Sequence, residues 1–508
     1  MADLKVSDLG AIAVVGGTDL FHIVQGATVN KKMTGANAKT QLGAPDVANT
    51  WTVQQTFNIA PIAPVGRGAT IIVAASDSPT TSKNQADYVC DGTADNVEIQ
   101  AALDALTGGR TWQEKVILMG GTYHIAATVE VAAYTILENQ GLVILDNAVN
   151  ADLLTNAAAG NGYIEITGGI WDGNRVNQAA LSTVIHFNDV YNTWVHHTNV
   201  RHGYTGGIDV NGGSVVMTRR LNTISDNFVL NCGSPLRSSF GIATGGDYGQ
   251  LCVNNAVWTD DNDGNRGIQV MGHMAMVSGN SVHRYVIGIY VVAQSEHMIL
   301  NNTILTCSGQ AIWLNQTTNA AVSGNTISAC GIGILSTDGQ YNLITNNIVR
   351  DNTTNIQLDG NCDYTLIQGN NITSDLGVGR LWGVKIVDAT CNENKIAYNT
   401  FRPGGFVTAI IADSGTDTII EHNTGFVSES FGTATVANGD TDVTVAHGLD
   451  VTPTLGNISV TPTNSLGNAT KFYISNVGAA NFDINVDIDP GVTTATFAWS
   501  IGAYGLGV

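Results

Sequence analysis

The densest group of side chains able to move protons lies in Thr259-Asp260-Asp261-Asn262-Asp263-Gly264-Asn265-Arg266. Cleavage of a glycosidic bond needs two carboxyl groups about 5 to 10 Å apart, one protonating the leaving oxygen and one acting as base or nucleophile. Two of Asp260, Asp261 and Asp263 are therefore candidates for the acid and the base. One repeat further on, the matching loop carries His283 and Arg284, so an imidazole and the guanidiniums of Arg266 and Arg284 would meet the acids at one edge and orient sugar hydroxyls. Trp258 offers a ring face to a sugar. The competing reading is a solvated turn whose Asp and Asn side chains bond their own backbone, and a calcium loop is a third. Glu296 belongs to a second series with Asp247, Asp338, Asp363 and Asp417. This acidic ridge would suit calcium or a basic ligand, or it is a row of exposed turns. His196 and His197 are neighbours, so in a strand they face opposite sides and do not share a metal with His202. No metal signature, P-loop, nucleophile elbow or dinucleotide fingerprint is present. No cofactor is expected, and calcium is the one ion the acidic turns would take.

The elements that position these residues are set by a repeat. Asn227, Asn255, Asn280, Asn302, Asn325, Asn347, Asn371, Asn399 and Asn423 recur every 22 to 28 residues. A second series, from Gly207-Ile208 through Gly267-Ile268 and Ala311-Ile312 to Ala409-Ile410, keeps the same beat. The segments between are rich in β-formers and lack helical apolar spacing, which fits one coil of a parallel β-helix per repeat. Coils stacked about 4.8 Å apart would make nine of them a rod of about 40 Å. Stacked amides at a bend can donate and accept along the rod while tolerating a left-handed backbone, so the asparagines are structural. Cys232, Cys307 and Cys330, each five residues after its asparagine, read as a stacked inward position.

Composition agrees. Apolar residues make up 44% and charged residues only 12%, with 58 Gly and 9 Pro, a profile of many tight turns and no long solvated helices. The net charge of −21 repels phosphate backbones and anionic lipids, which excludes nucleic acid as a partner. The longest clean apolar stretch, around Tyr285 to Ala293, is too short for membrane insertion, and no signal peptide is evident, so folding in a cytoplasm is expected. Seven cysteines without a CxxC pair are predicted to be reduced.

Three domains are predicted: residues 1–68 as a small N-terminal β attachment segment, 69–428 as the β-helix, and 429–508 as an antiparallel β-sandwich. Within the second, a helix at about 95–106 would plug the open end, with Asp95 capping it, Glu98 completing a capping box, and Val97, Ala101 and Leu103 to Leu106 as its apolar side.

Asp91-Gly92-Thr93 through Leu106, followed by Gly120-Gly121-Thr122-Tyr123, resembles the entry of pectate-lyase-like β-helix proteins, which include many bacteriophage tail spikes. Gly168-Gly169-Ile170-Trp171-Asp172-Gly173-Asn174 matches another recurrent element of that superfamily. The resemblance covers about residues 70 to 428 and bears on fold more than activity. It implies an all-β, right-handed parallel β-helix. It further implies a homotrimeric virion protein of the tail spike or tail fibre class, with host surface polysaccharide as ligand and the N-terminal segment bound to other tail or baseplate proteins. An active polysaccharide hydrolase or lyase is the alternative, and a non-enzymatic decorating fibre elsewhere on the virion is a third reading.

Overall fold

Each repeat contains triplets whose central residue alone is apolar and buried, such as Thr303–Leu305, where Ile304 is fully buried between half-buried neighbours. Alternation of side chains across a strand produces this pattern when one face meets a core and the other meets solvent. The computed structural model describes residues 20–25, 29–34 and 69–502, apart from 181, 214–220, 235–238, 247–248, 261–263, 376–379 and 403–404. Two compact units are present, Met1–Gly66 and Arg67–Val508. In the first, Leu20–Gln25 pairs antiparallel with Val29–Thr34.

The second unit is a right-handed parallel β-solenoid with three sheets. Sheet I has 15 strands and ends at Ile419–Glu421, sheet II has 12 from Thr122–Ile125 to Thr400–Phe401, and sheet III has 12 from Val129–Val131 to Ala409–Asp413. Columns of β-branched residues fill the interior: Val277, Ile299 and Val322 from sheet I, Val282, Ile304 and Ile327 from sheet II, and Ile268, Ile289 and Ile312 from sheet III are all fully buried. Each such side chain contributes about 1.5 to 3 kcal/mol.

The bend from sheet I to sheet II carries the asparagine ladder. Asn302 Oδ1 accepts the backbone N–H of Asn280 at 2.9 Å and its Nδ2 at 3.0 Å, while Asn302 Nδ2 donates to the Val277 carbonyl at 2.9 Å. The same arrangement joins Asn227, Asn255, Asn280, Asn302, Asn325 and Asn347 in succession. The next rung is Asn370, not Asn371, and Asn399 and Asn423 follow. Asn371 instead opens a strand of sheet II and is exposed. The residue before each rung takes a left-handed backbone, with φ of 55° at Asn301 and 68° at Gly369, and Gly369 thereby sets the register that selects Asn370. Cys307 N–H donates to Cys330 Sγ at 3.3 Å, and all seven cysteines are free and buried.

The capping helix spans Asn96–Asp104 and packs against strands at the amino-terminal end of all three sheets. Asp95 makes no side-chain cap bond to it. Its carboxylate is spent on the N–H groups of Gly92 (2.9 Å) and His124 (2.8 Å), so the predicted capping box does not form. The buried side of the helix is Ile99, Ala102 and Leu103, and Val97 is exposed.

After the last coil, two three-stranded antiparallel sheets face each other. One orders Ser430–Val436, Ala495–Ile501 and Ile458–Pro462; the other orders Asp442–Ala446, Asn481–Val486 and Phe472–Ser475. Phe482, Ile484 and Phe497 form the centre of this sandwich core.

Candidate functional site

The outer face of sheet III carries an acid–imidazole cluster. In Ile185-His186-Phe187 and Ile208-Asp209-Val210 the apolar neighbours are fully buried, so the pleat forces His186 and Asp209 outward. They are register partners on adjacent strands, Thr183–Val190 and Gly206–Gly212. His186 Nδ1 lies 2.7 Å from Asp152 Oδ2, and His186 Nε2 lies 3.7 Å from Asp209 Oδ2. Asp152 is itself fixed, because its other oxygen accepts the Thr183 N–H at 2.6 Å. Asp209 Oδ1 accepts Asn211 Nδ2 at 2.7 Å, which leaves Oδ2 toward the imidazole.

Asp209 is only 9% exposed. Burial pushes its carboxyl up to about 6 against the opposing pull of His186. The hydrogen bond to Asp152 raises the His186 imidazole, with desolvation opposing it. A buried acid and a raised imidazole in van der Waals reach can therefore share one proton near neutral pH.

The same register row continues through Ala243, Gln269, Tyr290 and Trp313, five strand spacings or about 24 Å from His186. Arg266 lies beside it. Its Nη1 donates to Gln269 Oε1 at 2.5 Å and its guanidinium sits 4.3 Å from the Tyr290 ring centroid. Arg266 Nε is buried without a hydrogen-bond partner. Among the described residues no carboxylate pairs with this arginine. The Tyr290 and Trp313 rings are 4.9 Å apart, Tyr290 OH accepts Asn315 Nδ2 at 3.0 Å, and Trp313 Nε1 donates to Thr337 Oγ1 at 3.1 Å. Tyr290 and Gln269 are buried and Trp313 half-buried, so the row offers a linear polar ligand the Trp313 ring, the guanidinium stacked on Tyr290 and, at its far end, the acid–imidazole cluster.

The residues singled out from the sequence are dispersed. Asp261 and Asp263 lie outside the described residues. Asp260 lies in the turn after sheet II, where its N–H donates to Asn231 Oδ1 at 2.7 Å and its Oδ2 accepts Asn231 Nδ2 at 3.1 Å, a reciprocal clamp between coils. Trp258 and His283 are register partners on the outer face of sheet II, with rings 4.9 Å apart and Phe228 at 6.0 Å on the other side. Arg284 takes the left-handed corner after them, and Glu296 the corner between sheets III and I. Arg266 faces out from sheet III, so the structure does not join it to His283 or Glu296. His196 and His197 do meet, at 2.7 Å between their Nδ1 atoms, because His197 leaves the strand in a left-handed conformation.

His186, Asp209, Tyr290 and Gln269 escaped sequence reasoning. The available signal was a polar residue held between two apolar ones inside a strand-length run, which for Asp209, Gln269 and Tyr290, though not His186, directly follows the Gly-Ile marker.

A family model described as periplasmic copper-binding protein (NosD) matches residues 135–364 and 272–404, together more than half of the chain. The chain belongs to the NosD family. Copper favours imidazole and soft sulfur ligands. Among the described residues, ligating side chains converge in threes at Cys90, Asp95 and Glu98 and at Glu421, His422 and Glu429, both outside 135–404. Within the matched region burial pushes the Cys232 and Cys252 thiols up to about 12, whereas the neighbouring Cys391 thiol brings Cys362 down to about 6. Among the described residues of this NosD-family chain, no three ligating side chains converge within the matched region.

Solved structures share its fold. The tailspike protein of E. coli bacteriophage HK620, in a mutant form in complex with pentasaccharide, aligns with a TM-score of 0.50 at 12% identity, over 80% of this chain and 89% of that one. The Dettilon tailspike protein gives 0.48 at 14%, over 84% and 93%. The Azotobacter vinelandii mannuronan C-5 epimerase AlgE4 A-module gives 0.48 at 16%, over 66% and 96%. No curated protein matches the sequence. Among the described residues, no helix is long and apolar enough to cross a membrane.

Proposed function

We propose that this NosD-family β-helix is a bacteriophage virion protein of the tail spike or tail fibre class that binds host surface polysaccharide along the outer face of sheet III. The observation that carries the reading is the row of Gln269, Tyr290 and Trp313 with Arg266 beside it, which spans two strand spacings, about 10 Å. Aromatic faces and fixed polar donors are what sugar rings require. The fold it shares with a tailspike in complex with a pentasaccharide supports the choice of ligand. In this reading residues 1–68 dock to tail or baseplate proteins, the C-terminal sandwich caps or trimerises the rod, and three rods form a homotrimer that buries flank surface.

Isothermal titration with purified capsular or O-polysaccharide of the host tests the binding. Light scattering tests the trimer, and gold-labelled antibody on intact particles tests the tail location. No uptake of any host polysaccharide would remove the reading, and label confined to the head would favour a decorating fibre.

A depolymerase is the second reading, favoured by the Asp152–His186–Asp209 cluster at one end of the strip. Asp260, with Asp261 and Asp263, is a weaker candidate for its acids because the carboxylate and N–H of Asp260 are both engaged by Asn231.

A further inference from the structure

We infer that Cys90, Asp95 and Glu98 form a zinc-binding site at the amino-terminal end of the solenoid, where the ion ties the outermost strand of sheet I to the capping helix. The site lies outside the residues that match the family model and is independent of the glycan face. Two separate observations lead to it.

The first is convergence. Cys90 follows Tyr88–Val89, the strand at the edge of sheet I, and its N–H donates to the Ala74 carbonyl at 2.9 Å. Asp95 immediately precedes the helix and Glu98 lies in its first turn. The Cys90 sulfur and one carboxylate oxygen of each acid all lie within 4.8 Å of one another. Around a tetrahedral zinc, with bonds of about 2.3 Å to sulfur and 2.0 to 2.2 Å to oxygen, such atoms stand about 3.3 to 3.7 Å apart, so small side-chain rotations close the set. The second is a shortage of partners. Cys90 is free and 2% exposed, and among the described residues no other residue bonds its sulfur. Glu98 Oε2 is buried without a hydrogen-bond partner. A glutamate at this helix position ordinarily bonds back to the N–H three residues before it, but the Asp95 N–H donates to the His124 carbonyl at 2.7 Å.

Charge decides what completes the cluster. Among the described residues no lysine or arginine pairs with Asp95 or Glu98. The helix amino terminus supplies only about half a positive charge against two carboxylates. The Gly92 and His124 N–H groups hold the Asp95 carboxylate in place, and each of its oxygens keeps a second lone pair for a cation. A divalent ion supplies the missing charge and gives Glu98 Oε2 a partner. Calcium and magnesium take oxygen ligands, whereas one sulfur with two carboxylates suits zinc. Burial, reinforced by Asp95, Glu98 and Asp91, pushes the Cys90 thiol up, so the metal-free cluster holds a thiol. On binding, the sulfur electron pair bonds the ion and the thiol proton leaves to solvent.

The full chain, stripped with a chelator, is titrated with Zn2+ and separately with Co2+, whose near-ultraviolet charge-transfer band reports a bond to thiolate. The expected result is one ion per chain, a cobalt band that Zn2+ abolishes, and a thermal midpoint raised by Zn2+. Cys90→Ser should remove the band, and Cys90→Ser and Glu98→Gln should each weaken Zn2+ binding about tenfold or more. Glu98→Gln is nearly isosteric at a half-buried position, so it carries the test where Cys90→Ser loosens the cap, and circular dichroism checks the fold of both. Cys252→Ser, at a buried thiol elsewhere in the core, should leave band and affinity unchanged. His422→Gln, in the group of Glu421, His422 and Glu429, should do the same. Absence of Zn2+ binding by the native chain would overturn the site, as would a cobalt spectrum without the thiolate band. Binding that survives both Cys90→Ser and Glu98→Gln and falls in His422→Gln would move the ion to the other end of the rod and overturn it equally.

Discussion

The side-chain carbonyl of Asn370 accepts both the backbone N–H and the Nδ2–H of Asn347, each at 2.9 Å, and its own Nδ2 donates to the Ile344 carbonyl at 2.8 Å. Replacement by alanine strands two buried donors and one carbonyl, and each unsatisfied buried group costs about 1 to 3 kcal/mol. Asn370→Ala should therefore destabilise by about 3 kcal/mol or more. Asn371→Ala, one residue away and exposed, should stay within about 0.5 kcal/mol. Urea unfolding midpoints at equal slope compare the two directly.

That pair also marks where sequence reading reaches its limit. The repeat is legible because every coil must satisfy the same bend and fill the same interior, so amides and β-branched residues return at a fixed beat. Between Asn370 and Asn371 the beat cannot choose, and the left-handed Gly369 decides. The cluster on sheet III is less legible still. His186 and Asp209 are 23 positions apart and become partners only through strand register, whereas Asp260, Asp261 and Asp263 attract attention by adjacency. Adjacency in a turn is cheaply explained by backbone capping, and Asp260 does clamp Asn231.

His297 gives a prediction about acid. Its ring is fully buried, and desolvation, opposed only by a backbone contact with Ala293, brings its pKa down to about 4 from 6.5. The unfolded chain then binds a proton that the folded chain refuses, so stability is intact above 6.5 and falls as pH drops toward 4. The loss over that window amounts to about 3 kcal/mol. His297→Met should flatten this part of the stability curve, measured by urea titration at half-unit steps of pH, and an unchanged acid slope would count against the account.

Asp209 has the opposite sign. Its folded pKa of about 6 lies above the ordinary 3.8, so the folded state holds its proton longer and stability is lost as pH rises from about 4 through 6. The ionised group then costs about 3 kcal/mol. His186, raised in the folded state, adds stability that is present below its unfolded value and disappears as pH rises through the folded one. Above the folded pKa of Asp209, at pH 8, Asp209→Asn should be more stable than the native chain by up to about 3 kcal/mol, with the difference closing near pH 4. A gain in stability together with a loss of activity is the pattern of a strained functional group.

Two aromatic rows compete as the sugar surface, and substitution separates them. Tyr290 and Trp313 lie on sheet III, with Arg266 against the Tyr290 ring; Phe228, Trp258 and His283 line sheet II. Trp258 is 40% exposed, so exposure alone would favour it. Tyr290 and Trp313 have their polar tips engaged by Asn315 and Thr337, which fixes the rings before a ligand arrives and lowers the entropy cost of binding. Trp313→Ala and Tyr290→Ala should each weaken polysaccharide binding about tenfold, equivalent to about 1.4 kcal/mol. Trp258→Ala should change it less than twofold. The reverse ranking in titration calorimetry would move the binding face to sheet II and separate it from the Asp152–His186–Asp209 cluster, since the two sheets present their outer faces in different directions around the coil.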